Sequence, residues 1–166
     1  ITNRKKNLFP GKLVAGELFG SEKLFRFAHE NPSIEIHPAE ITHNPRVLGQ
    51  SELLGDVVRD VAYDGTFVFA AAGSAGLVAI SAGDPAAPHV VGRLALAGPA
   101  RRVAVAGGRA YVLSGPAMDD SRLSVVDISR PDDPSGPVLL GSVGLAYAEA
   151  RPAVSGGAVL VAIHSG

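Results

Sequence analysis

The sequence predicts a mainly β protein: about two and a half four-stranded blades of a partial β-propeller, preceded by a short α/β segment with the order strand, helix, strand. Two observations carry this expectation. A stretch beginning at Arg59 recurs at Arg101, with Val61 falling on Val103 after 42 residues, and a third copy starts near Ala150. Each full copy also holds four short apolar runs separated by Gly, Pro or Asp turns, the pattern of one blade per repeat. Composition changes along the chain as well. All four lysines lie in the first 23 residues, and sixteen of twenty glycines follow residue 50. A shift of this kind marks a boundary, placed between residues 45 and 46.

In the first segment, "KLVAGELF" (12–19) is apolar and bounded by Gly11 and Gly20, which reads as a strand. "SEKLFRFAHEN" (21–31) then reads as a helix. Ser21 is its N-cap, Leu24, Phe25, Phe27 and Ala28 share a face, and Asn31-Pro32 stops it. "SIEIH" (33–37) alternates apolar and polar residues as a second strand. The order implies a βαβ unit with a parallel strand pair.

Residues 1–47 resemble an internal stretch of the acetyl-CoA hydrolase/transferase family, which includes 4-hydroxybutyrate and acetate CoA-transferases. The resemblance rests on Thr2-Asn3, Gly11-Lys12, Gly20-Ser21, Asn31-Pro32 and the run from Asn44 to Val47. It implies a fold built for CoA, carried in that family on a glutamate as a thioester beside a glycine-rich segment. Both features lie downstream of the matched part in the family, so no catalytic residue transfers. Glu17, Glu22, Glu30, Glu35 and Glu40 read as solvated or strand-edge charges. CoA is a cofactor here only if that resemblance is functional, and no other cofactor is expected.

The repeats of the second segment, residues 46–166, begin near 59, 101 and 150. "LVAISAGDPAAP" and "LSVVDISRPDDP" place an aliphatic strand before an Asp/Ser-x-Pro turn, and in this they resemble LVIVD-type propeller repeats. The likeness implies a blade fold and is silent on ligand, since propellers host many functions. "NPRVLGQ", "APHVVGR" and "GPVLLGS" align as last strands of successive blades. The two resemblances therefore meet within residues 44–50, without a Gly/Ser or Pro-rich linker, and the junction reads as a fusion point.

Candidate sites each have a plainer reading. Gly107-Gly108 and Gly156-Gly157 occupy equivalent repeat positions and lack the Lys-Ser/Thr of a phosphate loop, so they read as hairpin turns. Asp119-Asp120 and Asp132-Asp133 could offer oxygen to calcium, but no ligand loop surrounds them, and solvated turns are expected. His29, His37 and His43 are spaced by eight and six, unlike a metal pair on a helix, and His164-Ser165 lacks a nucleophile-elbow setting. Arg59 and Arg101 recur at one repeat position. They could meet an anion in a central channel, though pairing with a turn aspartate is the expectation. No catalytic, cofactor or metal residue is assigned.

A net charge of −1 gives no electrostatic footprint for nucleic acid, no stretch reads as a membrane span, and zero cysteines removes thiol chemistry while leaving the compartment open. The start at Ile1, with "NRKK" but no apolar core behind it, shows no signal peptide and reads as an excised or truncated segment. The expected function is non-catalytic binding or scaffolding through propeller loops. A CoA-transferase and a joined fragment without selected function are the alternatives. The partner is unknown, and exposed blade edges such as "VLLGSV" and "AVLVAI" point to self-association.

Overall fold

The computed structural model describes residues 48–163, together with the backbone of three strands before them. The elements are β1 (Lys12–Leu18), β2 (Glu22–Arg26), β3 (Ser33–Pro38), β4 (Gly49–Gln50), β5 (Asp60–Tyr63), β6 (Phe67–Ala71) and β7 (Leu77–Ser81). They continue as β8 (His89–Leu94), β9 (Ala100–Ala106), β10 (Arg109–Ser114), β11 (Ser121–Asp127), β12 (Val138–Leu145), β13 (Ala153–Ser155) and β14 (Ala158–Leu160). No described residue is helical.

The two full repeats are two four-stranded antiparallel meanders, β5-β6-β7-β8 and β9-β10-β11-β12. The third repeat contributes the two-stranded β13-β14. Hairpin geometry follows from the turn residues. Gly107-Gly108 joins β9 to β10 with φ of 57° and 71°, and Gly156-Gly157 joins β13 to β14 with 57° and 81°. Two successive positive φ values make the tight turn whose twist matches a hairpin, and glycine reaches them without steric cost. At the β5–β6 turn, Asp64 Oδ1 instead accepts the Thr66 and Phe67 amides at 2.9 and 2.8 Å.

The nearly continuous apolar runs are buried on both faces, as stacked sheets require. In β6 and β7, Val68, Ala70, Val78 and Ile80 face one core with Leu54, Val58 and Val61. Phe69, Ala71, Leu77 and Ala79 face the other, against Ala100, Val103, Ala110, Val112 and Val126 of the second blade. Alternate side chains of the same strands thus build two different interfaces.

The first segment departs from the expected βαβ unit. Glu22–Arg26 is strand, antiparallel to β1 with Leu24 opposite Gly16 and Arg26 opposite Val14. The remainder of the expected helix, its N-cap Ser21 and residues 27–31, lies outside the described residues. A helix as short as the one expected is marginal in water, whereas Leu24-Phe25 suits a pleated surface once β1 offers an edge. The parallel pairing of the flanking strands is present, with Leu13 opposite Ile34 and Ala15 opposite Ile36. β4 then pairs with β3, Ile36 opposite Gly49, so the sheet order is β2-β1-β3-β4 and backbone pairing crosses the compositional boundary.

Candidate functional site

The first strands of the repeats, β5, β9 and β13, lie side by side and place aligned residues together. Asp60, Arg102 and Arg151 occupy one repeat position. Asp60 is 3% exposed, and its carboxylate joins all three repeats. Oδ1 accepts the Val61 amide at 2.9 Å, Oδ2 accepts the Val103 amide at 3.0 Å, and the Arg151 guanidinium caps both oxygens, Nε at 2.8 Å from Oδ2. A buried carboxylate needs such compensation, because it has given up its hydration.

Arg101 does not pair with a turn aspartate. Its Nη2 donates to Ser121 Oγ and, at 3.1 Å, to the Ala148 carbonyl, while its buried Nε finds no partner among the described residues. Loss of hydration, reinforced by the neighbouring Arg102 charge, lowers its pKa, and Glu149 works in the opposite direction. The reason for the different partner is position: Ser121 opens β11 and stands beside Arg101, and its hydroxyl also donates to the Met118 carbonyl at 2.7 Å. Arg59 stays close enough to Asp56 to help hold that carboxyl down.

Above this layer the β10–β11 loop and the β12–β13 connection border a cleft of about 580 Å³. Arg102, Glu149 and Tyr147 supply its polar groups, and Met118 and Ile163 its apolar ones. Tyr147 has φ of 54°, a left-handed conformation that a bulky side chain adopts rarely. Arg102 is tied back by Nη1 to the Arg101 carbonyl at 3.1 Å. One cation, one anion and one phenol around an apolar floor suit a polar organic group or a peptide, and the volume lies within the usual range for such sites.

The other candidates fall elsewhere. Asp119 and Asp120 are exposed on the β10–β11 loop. Asp133 Oδ1 accepts the Ser135 amide and hydroxyl at 3.0 and 2.8 Å, a local turn closure that lowers its pKa, and Asp127 does the same with Ser129. Among the described residues no three His, Cys, Asp or Glu side chains gather as a metal set. Glu17, Glu22, Glu35 and His37 lie on β1, β2, β3 and β3, and only their backbone is described. Glu30, Glu40, His29, His43, His164 and Ser165 lie outside the described residues. The sequence reading passed over Asp60 and Arg151. The signal was present, an acidic residue at a position held by arginine in the next two repeats, but only the stacking shows that the three positions meet. No helix among the described residues is long and apolar enough to cross a membrane.

Paired four-stranded sheets, in sequence register and tied through their first strands, define a protein of propeller-blade repeats. The LVIVD repeat model matches residues 55–95 and 97–144, more than half of the chain, and the chain belongs to that repeat family. A separate, partial similarity is to CoA-transferases. Over 52 residues the chain is 38% identical to the 4-hydroxybutyrate coenzyme A transferase of Clostridium kluyveri, covering 31% of this chain and 12% of that protein. It is 35% identical over 52 residues to the succinyl-CoA:cyclohexane-1-carboxylate CoA transferase of Geobacter metallireducens, with the same coverage of 31% and 12%. The chain thus spans about an eighth of the length of these curated relatives.

Proposed function

We propose that this chain is a non-catalytic LVIVD repeat module that binds or scaffolds through its loops, joined near residues 44–50 to an incomplete CoA-transferase segment. The observation that carries this reading is the cleft between the second and third repeats. Its walls are Arg102 of β9 and loop residues of mixed charge and polarity, held by the Asp60 and Arg101 ties beneath. A rigid base with polar loops above it is how a repeat scaffold presents a binding surface.

The similarity to the two CoA-transferases favours a second reading, in which the chain takes part in CoA transfer. That chemistry needs a covalent nucleophile, and binding alone does not replace one. Incubation with acetyl-CoA and a carboxylate acceptor, followed by mass spectrometry of the intact protein, separates the two readings. The binding-module reading expects no CoA release above buffer and no protein adduct. A glutamyl-CoA adduct at any position overturns it in favour of the transferase.

A further inference from the structure

Arg102 and Arg151 hold one position in successive repeats, 49 residues apart. Arg151 shows what that position can do. Its Nε and Nη2, the parallel pair along one edge of the guanidinium, take the two oxygens of the Asp60 carboxylate. Arg102 engages only Nη1, which donates to the Arg101 carbonyl at 3.1 Å and orients the group. Its Nε and Nη2 meet no carboxylate among the described residues, and the side chain borders the cleft of about 580 Å³ between the second and third repeats.

The other walls of the cleft arise where the repeats depart from their own pattern. Tyr147 stands 49 residues after Gly98, as Gly156-Gly157 stands after Gly107-Gly108. A Cβ on Gly98 would lie 2.9 Å from Gly115 Cα and 3.3 Å from Pro116 Cδ, so that position takes no side chain. At the third repeat a phenol ring occupies it, and among the described residues Tyr147 alone keeps a positive φ without being glycine. Met118 comes from an insertion. Leu77 pairs with Ala71 and Leu123 with Leu113, yet four more residues separate the second pair, and Met118 lies among them. Ala148 fixes the far wall. It is fully buried, its carbonyl accepts Arg101 Nη2 and Ser121 Oγ, each at 3.1 Å, and it bridges to Ile163. Tyr147 and Glu149 are thereby held on either side of an anchored residue. Glu149 is exposed and joins no salt bridge among the described residues, while Met118 and Ile163 are 48% and 62% exposed.

We infer that the cleft binds a small zwitterion with an apolar side chain, the shared chemistry of a free amino acid and a short peptide. Its carboxylate lies on the Arg102 fork, its ammonium on Glu149, and its side chain against Tyr147, Met118 and Ile163. This rests on the reading of the chain as a binding module and names the ligand class. A simple anion would satisfy Arg102 and be repelled by Glu149, and a simple cation the reverse, so only a ligand with both charges answers both residues. The volume accommodates one large amino acid or a dipeptide.

Isothermal titration calorimetry of the full chain with L-phenylalanine and with the dipeptide phenylalanyl-leucine tests the inference. Saturable binding of at least one is expected, and the tighter of the two reports the span between the charges. Removing the ammonium, as in 3-phenylpropionate or the N-acetyl dipeptide, weakens binding about 3-fold; removing the carboxylate, as in 2-phenylethylamine or the dipeptide amide, weakens it about 10-fold. Arg102→Gln weakens the zwitterion about 10-fold. Glu149→Gln, at an exposed residue, abolishes the difference between the zwitterion and the analogue without an ammonium. Tyr147→Gly installs the residue of the preceding repeat, so the melting temperature does not fall while binding weakens about 10-fold. Saturation by neither zwitterion, single-charge analogues that bind as tightly, or full affinity in Arg102→Gln or Tyr147→Gly overturns the inference. So does a Glu149→Gln variant that still prefers the zwitterion. None of these measurements involves CoA. Failure here without a CoA adduct removes only the ligand class, whereas an adduct removes the binding-module reading itself.

Discussion

Asp60 concentrates more of the inter-repeat bonding than any neighbouring polar side chain described here. Its carboxylate holds the Val103 amide of the next blade, and the Arg151 partner from the third repeat is itself half exposed, at 53%. Asp60→Ala strands the Val103 amide in a buried site and is expected to cost about 2–3 kcal/mol. Arg151→Ala leaves the buried Asp60 carboxylate its two amide donors but takes its counter-charge, and is expected to cost about 1–2 kcal/mol. Urea unfolding of both variants measures the difference. Asp56 acts at a loop instead. It accepts the Ser74 amide and hydroxyl, both at 2.7 Å, and the Val57 amide at 2.6 Å, and these bonds, Ser74 first, hold its pKa below the usual carboxylate range. A carboxyl whose folded pKa is depressed stabilises the fold above its unfolded pKa of about 3.9, and loses that contribution as pH falls through the folded value. The melting-temperature gap between wild type and Asp56→Asn should therefore be constant from about pH 7 to 5 and shrink below about pH 4.

At the level of elements, the last strand of each blade is decided by its glycine. Gly92→Ala pushes a methyl group into Pro137 and the Pro131 carbonyl and should destabilise by about 1–3 kcal/mol, the cost of overpacking. Gly141→Ala meets nothing within 4 Å among the described residues and should change stability by no more than about 0.5 kcal/mol. Thermal melts at low concentration compare the pair. The alignment of "APHVVGR" with "GPVLLGS" made these positions equivalent, yet it could not show which of them is filled. β2 carries the opposite lesson. Leu24, Phe25, Phe27 and Ala28 fit a helical stripe, but the stripe is short, and a nearby strand edge at β1 outweighs a weak local preference.

Across the molecule, stability rests on the sheet-to-sheet core. Phe69 is fully buried between the blades with Val103, Ala110 and Val112. Phe69→Ala should cost about 3–5 kcal/mol through lost burial and a cavity, and, because the residue joins two repeats, it should split one unfolding transition into two. Calorimetry of the variant shows one peak or two. The first core, built on Leu54, Val58 and Ile80, lies on the opposite face of the same sheet, so damage at Phe69 leaves it standing.

The blades were legible in residue order because their information is local and repeated. Short, nearly continuous apolar runs, the Gly, Pro and Asp turns between them, and a 42-residue recurrence need no distant partner to be recognised. The long-range pairings were not. That Asp60 reaches Arg151 across 91 positions, that Arg101 takes Ser121 rather than an aspartate, and that β4 joins β3 depend on which strands pair and which faces stack. Stacking depends on the shape of surfaces from separate repeats, and a linear string of residues does not state that shape.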